Sequence, residues 1–130
     1  MSDSTDKNPY KVNTGLYRVW RATVYSYSGL LQACRLESAF RQELALACLM
    51  LPFSPLLGHG IVEVSLLVLV VALVLIVELL NSAVEAVVDR VSYEWHELAG
   101  RAKDYGSAAV HLSLLLCGGV WGAFVIRCFS

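Results

Sequence analysis

A helix long enough to cross a bilayer turns acidic partway along, and this constrains the chain more than any other feature. Residues 64–77 carry no charge, and they run straight into Glu78-Leu-Leu-Asn81-Ser-Ala-Val-Glu85-Ala-Val-Val-Asp89-Arg90. Glu78, Asn81, Glu85 and Asp89 follow one another at three, four and four residues. At about 100° per residue they share one stripe within an arc of roughly 80°. The residues between them are mostly Leu, Ala and Val, acceptable to lipid or to a neighbouring helix. A carboxylate at membrane depth costs several kcal/mol unless it is paired, protonated or bound to a cation. The stripe therefore reads as a cation or proton-transfer site. The plainer alternative is interhelical hydrogen bonding that holds a bundle together.

The distribution of charge says how many spans there are. The net charge of -1 gives no electrostatic footprint for nucleic acid, while an apolar fraction of 57% and a mean hydropathy of +0.60 exceed those of ordinary soluble domains. Lys7, Lys11, Arg18, Arg21, Arg35 and Arg41 precede the first apolar stretch. Arg90, Arg101 and Lys103 separate the second from the third, residues 52–62 hold no Lys or Arg, and Arg127 stands alone at the far end. The positive-inside rule then predicts three spans, with the N-terminus cytoplasmic and the C-terminus outside. No secretory signal peptide is expected, because the first apolar run starts late and lacks a small-residue cleavage pattern. Cys34, Cys48, Cys117 and Cys128 form no CxxC pair, and neither a disulfide nor a structural metal is expected.

The fold expected is all-α, a single polytopic membrane domain. Residues 1–14 read as a flexible tail and 15–35 as an amphipathic surface helix, with Gly29 free to bend it. Residues 37–57 form span 1, with Pro52 and Pro55 where a helix can stop. The 58–60 turn, with His59 exposed, leads to span 2 at 61–89, where Glu63 is expected to be solvated. A cytoplasmic loop at 91–104, where Gly100 could end an extension of span 2, precedes span 3 at 105–126. In span 3, Gly106 and its small neighbours allow close packing, and Trp121 and Phe124 suit an interfacial aromatic belt.

The candidate polar groups gather on the cytoplasmic side, where ATP and magnesium are available. Magnesium takes oxygen ligands, often one or two carboxylates plus phosphate oxygens. Phosphoryl transfer needs positioning, a metal, positive charge and a base for the attacking hydroxyl. Glu37 and Glu85 can supply metal ligands, and Lys103 and Arg18 positive charge. Arg41 can snorkel or pair. Glu78, deepest in the stripe, is placed to act as general base toward a hydroxyl presented from lipid. The chain has no P-loop and no soluble-kinase signature. His96-Glu97 is not a zinc protease motif, because Gly100 stands where HExxH needs its second His. Spacing alone therefore indicates a small membrane protein with an acidic site at the cytoplasmic interface.

Three stretches, ESAFRQE at 37–43, IVELLNSAVEAVVDR at 76–90 and EWHELAGRAKDYGSAAV at 94–110, resemble the signatures of the small bacterial integral-membrane diacylglycerol kinases. The resemblance covers roughly residues 15–125. It implies three spans plus a surface helix, a homotrimer with active sites shared between subunits, and an inner-membrane location with a periplasmic C-terminus. It implies transfer of the ATP γ-phosphate to the primary hydroxyl of diacylglycerol, with Mg2+ accompanying ATP. Glu78 then corresponds to the general base, and Glu37 and Glu85 to the metal ligands. Arg18, Tyr25, Glu94, Trp95, His96, Lys103 and Asp104 match nucleotide-contacting positions. Arg18, Ala39, Phe40, Arg41, Gln42, Glu43, Ser107 and Trp121, beside Glu78, match the lipid-contacting region, with Asn81 and Asp89 supporting. Tyr27 and Trp95 replace other aromatics common in the family, and the two outer prolines are a departure. A related branch phosphorylates undecaprenol, and the FRQE element is more similar to the diacylglycerol branch. A small proton-coupled exporter is the reading from another class, since such proteins also carry intramembrane Glu.

Overall fold

The computed structural model describes residues 15–91 and 94–130; the first fourteen residues, read as a tail, lie outside the described part. Among the described residues all regular structure is helical: α1 Leu16–Leu36, α2 Ser38–Met50, a 3-10 turn Leu51–Phe53, α3 Ser54–Leu57, α4 Ile61–Val91 and α5 Glu97–Phe129. The chain divides into two compact units, Met1–Gln32 and Ala33–Ser130.

In the first unit, α1 contains no acidic residue and passes Gly29 without a break. Thr23 and Ser26 turn their hydroxyls back onto the carbonyls of Val19 and Ala22, at 2.9 and 2.8 Å, which spares the helix a competing turn. The Arg21 guanidinium lies over the rings of Tyr17 and Tyr25, at 5.9 and 5.3 Å from their centroids, and donates to both hydroxyls.

The second unit opens where Glu37 adopts an extended conformation and separates α1 from α2. Arg41, one turn into α2, donates to the carbonyls of Cys34 and Arg35 at 3.1 and 3.0 Å. Those carbonyls have no partner within a finished helix, so Arg41 caps α1. As expected at Pro52, α2 stops at Met50. Pro52 and Pro55 each sit in the first turn of a new short helix, where a missing N–H costs nothing, so helical structure continues to Leu57.

Gly58 and Gly60 make the turn into α4. A side chain on Gly58 would lie 2.9 Å from both the Val64 backbone nitrogen and its Cγ2, and Gly60 adopts φ +105°. Glu63 is not left to solvent as expected. Its carboxylate accepts the His59 N–H at 2.6 Å and two Arg127 donors at 2.9 and 2.8 Å. Arg127 also donates to the Leu57 carbonyl at 3.0 Å and lies over the Phe124 ring.

Helices α4 and α5 run antiparallel, and their register shows in four contacts along the seam. Glu63 meets Arg127, the Trp121 indole N–H donates to the buried Leu67 carbonyl at 3.1 Å, Asn81 meets Gly106, and Asp89 meets Lys103. Ala47 of α2, Leu67, Val70, Val71 and Val74 of α4, and Cys117 and Trp121 of α5 form the core. Both long helices are apolar enough to cross a membrane, and at about 1.5 Å per residue each exceeds a hydrocarbon core of about 30 Å. Large apolar side chains such as Leu69, Leu80, Leu112 and Leu115 point outward along them.

The expected 91–104 loop is mostly helix. α5 begins at Glu97 and α4 runs to Val91. His96, in extended conformation, accepts the Leu98 N–H on Nδ1 at 3.1 Å and so caps α5. Gly100 consequently falls inside the first turns of α5 and ends nothing. Trp121 lies in the core, 6% exposed, and not in an interfacial belt.

The close approach at Gly58 yields a stability prediction. Gly58→Ala forces a methyl group against backbone and is expected to destabilise by about 1–3 kcal/mol. Gly118→Ala, with open space beside it, is expected to be neutral. Thermal unfolding of both variants in detergent checks this.

Candidate active site

The acidic stripe exists as one face of α4, and burial falls along it. Glu78 is 5% exposed, Asn81 and Glu85 are half-buried, and Asp89 is exposed. Glu78 sits roughly 26 Å along α4 from Ile61, so at about 1.5 Å per residue it lies near one boundary of a hydrocarbon layer that starts at Ile61.

Helix α2 supplies the facing wall. Glu78 feels the charges of Glu85, two helical turns on, and of Glu37, at the α1–α2 break. Glu43, one and a half turns into α2, feels Glu78 in turn, and its Oε2 is buried without a hydrogen-bond partner. Glu37, Glu43 and Glu85 therefore each act on Glu78 in a half-dry setting, where like charges repel strongly. Among the described residues no three acidic, histidine or cysteine side chains converge closely enough to hold a metal ion by themselves.

Beyond Glu85 the site opens. Lys103 of α5 pairs with Asp89 of α4 at 2.6 Å, both side chains largely exposed, and also feels Glu85. Asp89 and Lys103 join Glu94, Trp95 and His96 around a shallow pocket of about 180 Å3. A cation, a carboxylate and an indole at the mouth of the acidic stripe could receive a flat, phosphorylated ligand by stacking and by charge. Asp104 lies exposed on the next residue of α5 and does not line this pocket.

The remaining residues marked out by sequence fall in several places. Arg18 and Tyr25 lie about two turns apart on one side of α1, in the first unit, and Tyr25 accepts from Arg21. Ala39 and Gln42 are exposed, Phe40 is buried at 2%, and Arg41 caps α1. Ser107 is exposed on α5 beside Gly106. Trp121 is not brought to the acidic residues. Its partner Leu67 precedes Glu78 by roughly 16 Å of helix, and its indole holds α4 to α5.

Sequence reasoning passed over two contacts. The Asp89–Lys103 pair joins residues that were marked separately. Gly106 was noted only as small, yet it is where the Asn81 side chain reaches α5. The signal for both was the antiparallel register, which follows once the 97–104 segment is recognised as helix.

Comparison with known proteins identifies the family. A family model for prokaryotic diacylglycerol kinase matches residues 24–125. A diacylglycerol kinase of Haemophilus influenzae is 49% identical over 112 residues, covering 86% of this chain and 95% of the relative. One of Pseudomonas aeruginosa is 46% identical over 119 residues, covering 92% and 97%. One of Escherichia coli K12 is 46% identical over 108 residues, covering 83% and 88%. A buried carboxylate flanked by two others, with a basic and aromatic pocket one turn beyond, is thus found in a chain that belongs to the prokaryotic diacylglycerol kinase family.

Proposed function

We propose that this chain is an ATP-dependent lipid kinase that moves the γ-phosphoryl group to the primary hydroxyl of 1,2-diacylglycerol, giving phosphatidic acid. The observation that carries the reading is the burial of Glu78 on an apolar helix, with Glu37 and Glu85 both acting on it. A lipid hydroxyl arriving along an apolar helix meets that carboxylate first. The hydroxyl oxygen attacks the γ-phosphorus, its proton passes to Glu78, and ADP leaves. Lys103, at the pocket mouth, offers positive charge to the phosphates. Arg18 and Tyr25 serve the nucleotide from α1, and Glu94, Trp95 and His96 from the pocket wall. Residues 39–43 and Ser107 serve the lipid.

Two carboxylates, Glu37 and Glu85, suit a magnesium ion that draws its other ligands from phosphate and water, since the described residues offer no closed cage. That ion, when bound with ATP, neutralises charge on the phosphates. Three spans complete the assembly, α2 through α3 forming the shorter one. The N-terminus is cytoplasmic, the C-terminus periplasmic, and the membrane is the bacterial inner membrane. The exposed apolar sides of α4 and α5 support a homotrimer in which neighbours complete each site. Membership of a kinase family removes the proton-coupled exporter reading.

Glu78→Gln keeps the shape and removes the base, so turnover is expected to fall by roughly 10^2–10^4-fold with the oligomer intact. Phosphorylation assays with MgATP and diacylglycerol in mixed micelles, beside size-exclusion chromatography, check this; near-normal turnover would mean another base. A parallel assay on undecaprenol is expected to show the slower reaction, and the reverse order assigns the chain to the polyprenol branch.

Lys103→Ala is expected to raise KM for MgATP while leaving the thermal unfolding midpoint unchanged, because the Asp89 pair is solvated. Steady-state kinetics and a melting curve on the same preparation separate the two effects.

A further inference from the structure

Asn81 is the one uncharged polar member of the acidic stripe's four positions, and its amide oxygen has a specific neighbour. A methyl group on Gly106 would fall on Asn81 Oδ1 and lie 3.3 Å from its Cγ and 3.9 Å from its Cα. The same Oδ1 is buried and accepts no hydrogen bond from the described residues. These observations are independent. One says that the amide fills the space a side chain at 106 would need. The other says that no donor draws the oxygen there. Packing alone does not explain the glycine, since Ser107, Ala108 and Ala109 follow it on an exposed part of α5. Gly118, Gly119 and Gly122 on the same helix have nothing within 4 Å, so Gly106 differs from them.

An amide offers one oxygen acceptor and an NH2 group with two donors. With Oδ1 held against the α5 backbone, the NH2 group is what remains for the stripe. Asn81 follows Glu78 by three residues and precedes Glu85 by four, so both carboxylates are its neighbours on the α4 surface. A neutral donor there can hold a carboxylate or phosphate oxygen without adding charge.

We infer that Gly106 is a positioning residue for phosphoryl transfer, acting through Asn81: its missing side chain lets the amide lie against α5 with its NH2 group turned to the acidic face. The inference rests on the reading of Glu78 as base and Glu85 as ligand. A side chain at 106 collides with the far end of Asn81 and not with backbone. The protein therefore folds, and Asn81 rotates out of place.

The test is a double-variant cycle on the full-length protein in mixed micelles, with MgATP and diacylglycerol. Wild type, Gly106→Ala, Asn81→Ala and the double variant are compared, with Gly118→Ala as control. Turnover is measured below the lowest unfolding midpoint of the set. Gly106→Ala is expected to lower kcat by about tenfold or more while KM for MgATP stays within about twofold. The double variant is expected to be no slower than Asn81→Ala, because no amide remains to displace. Gly118→Ala is expected to match wild type. The inference is overturned if Gly106→Ala has wild-type kcat, or if it slows the Asn81→Ala protein by the same factor as wild type. Full turnover in Glu78→Gln would instead overturn the assignment of the base, and the cycle would still decide whether Gly106 acts through Asn81.

Discussion

The structure depends on how it tolerates carboxylates between apolar helices. Moving one acidic side chain to the middle of a bilayer costs about 3 kcal/mol or more. Here Glu37, Glu43 and Glu85 each interact with the buried Glu78. Among the described residues, no lysine or arginine pairs with Glu78 in the way that Arg127 pairs with Glu63. A purely structural bundle would gain by replacing such a group with leucine. The acids are compensated only when a cation or a proton joins them, which is what the proposed magnesium-bound nucleotide would supply.

The α4–α5 seam carries that arrangement. Its contacts change in character from one end to the other. At the Glu63 end a bidentate ion pair, a carbonyl contact and a stacked ring tie together α3, α4 and α5. In the middle, Trp121 and the valines of α4 exclude water. From Asn81 onward the contacts become polar and exposure rises, ending in the solvated Asp89–Lys103 pair. Apolar packing thus stops where the polar residues of the candidate site begin.

The stripe was legible in the sequence because helical periodicity is a local property of four residues on one element. The spans were legible because charge-free stretches of such length have few other uses. The start of α5 was not legible, because the 91–104 segment is polar and contains a glycine. What makes its second half helical is an N-cap from His96, a residue type outside the usual capping set, and contact with the end of α4. The prolines were legible as the place where α2 stops. They are incompatible with a helix interior, but each occupies the opening turn of a new short helix. The partners of Arg41 and Glu63, the carbonyls ending α1 and the guanidinium of Arg127, were not legible because they become neighbours only through the fold.

The two ends of the seam also differ in what they permit. The Glu63–Arg127 end has little polar capacity left, since Glu63 binds two groups and Arg127 reaches a backbone carbonyl besides. The Asp89–Lys103 end keeps its groups exposed, so a phosphate can compete with Asp89 for the ammonium at low cost, the pair being worth little in water. Binding there need not break the core that holds Glu78. Hydrophobic burial fixes Glu78, the proposed base, while the groups proposed to meet the nucleotide stay adjustable. A short chain can in this way keep a buried acid in place and still exchange a charged ligand at each turnover.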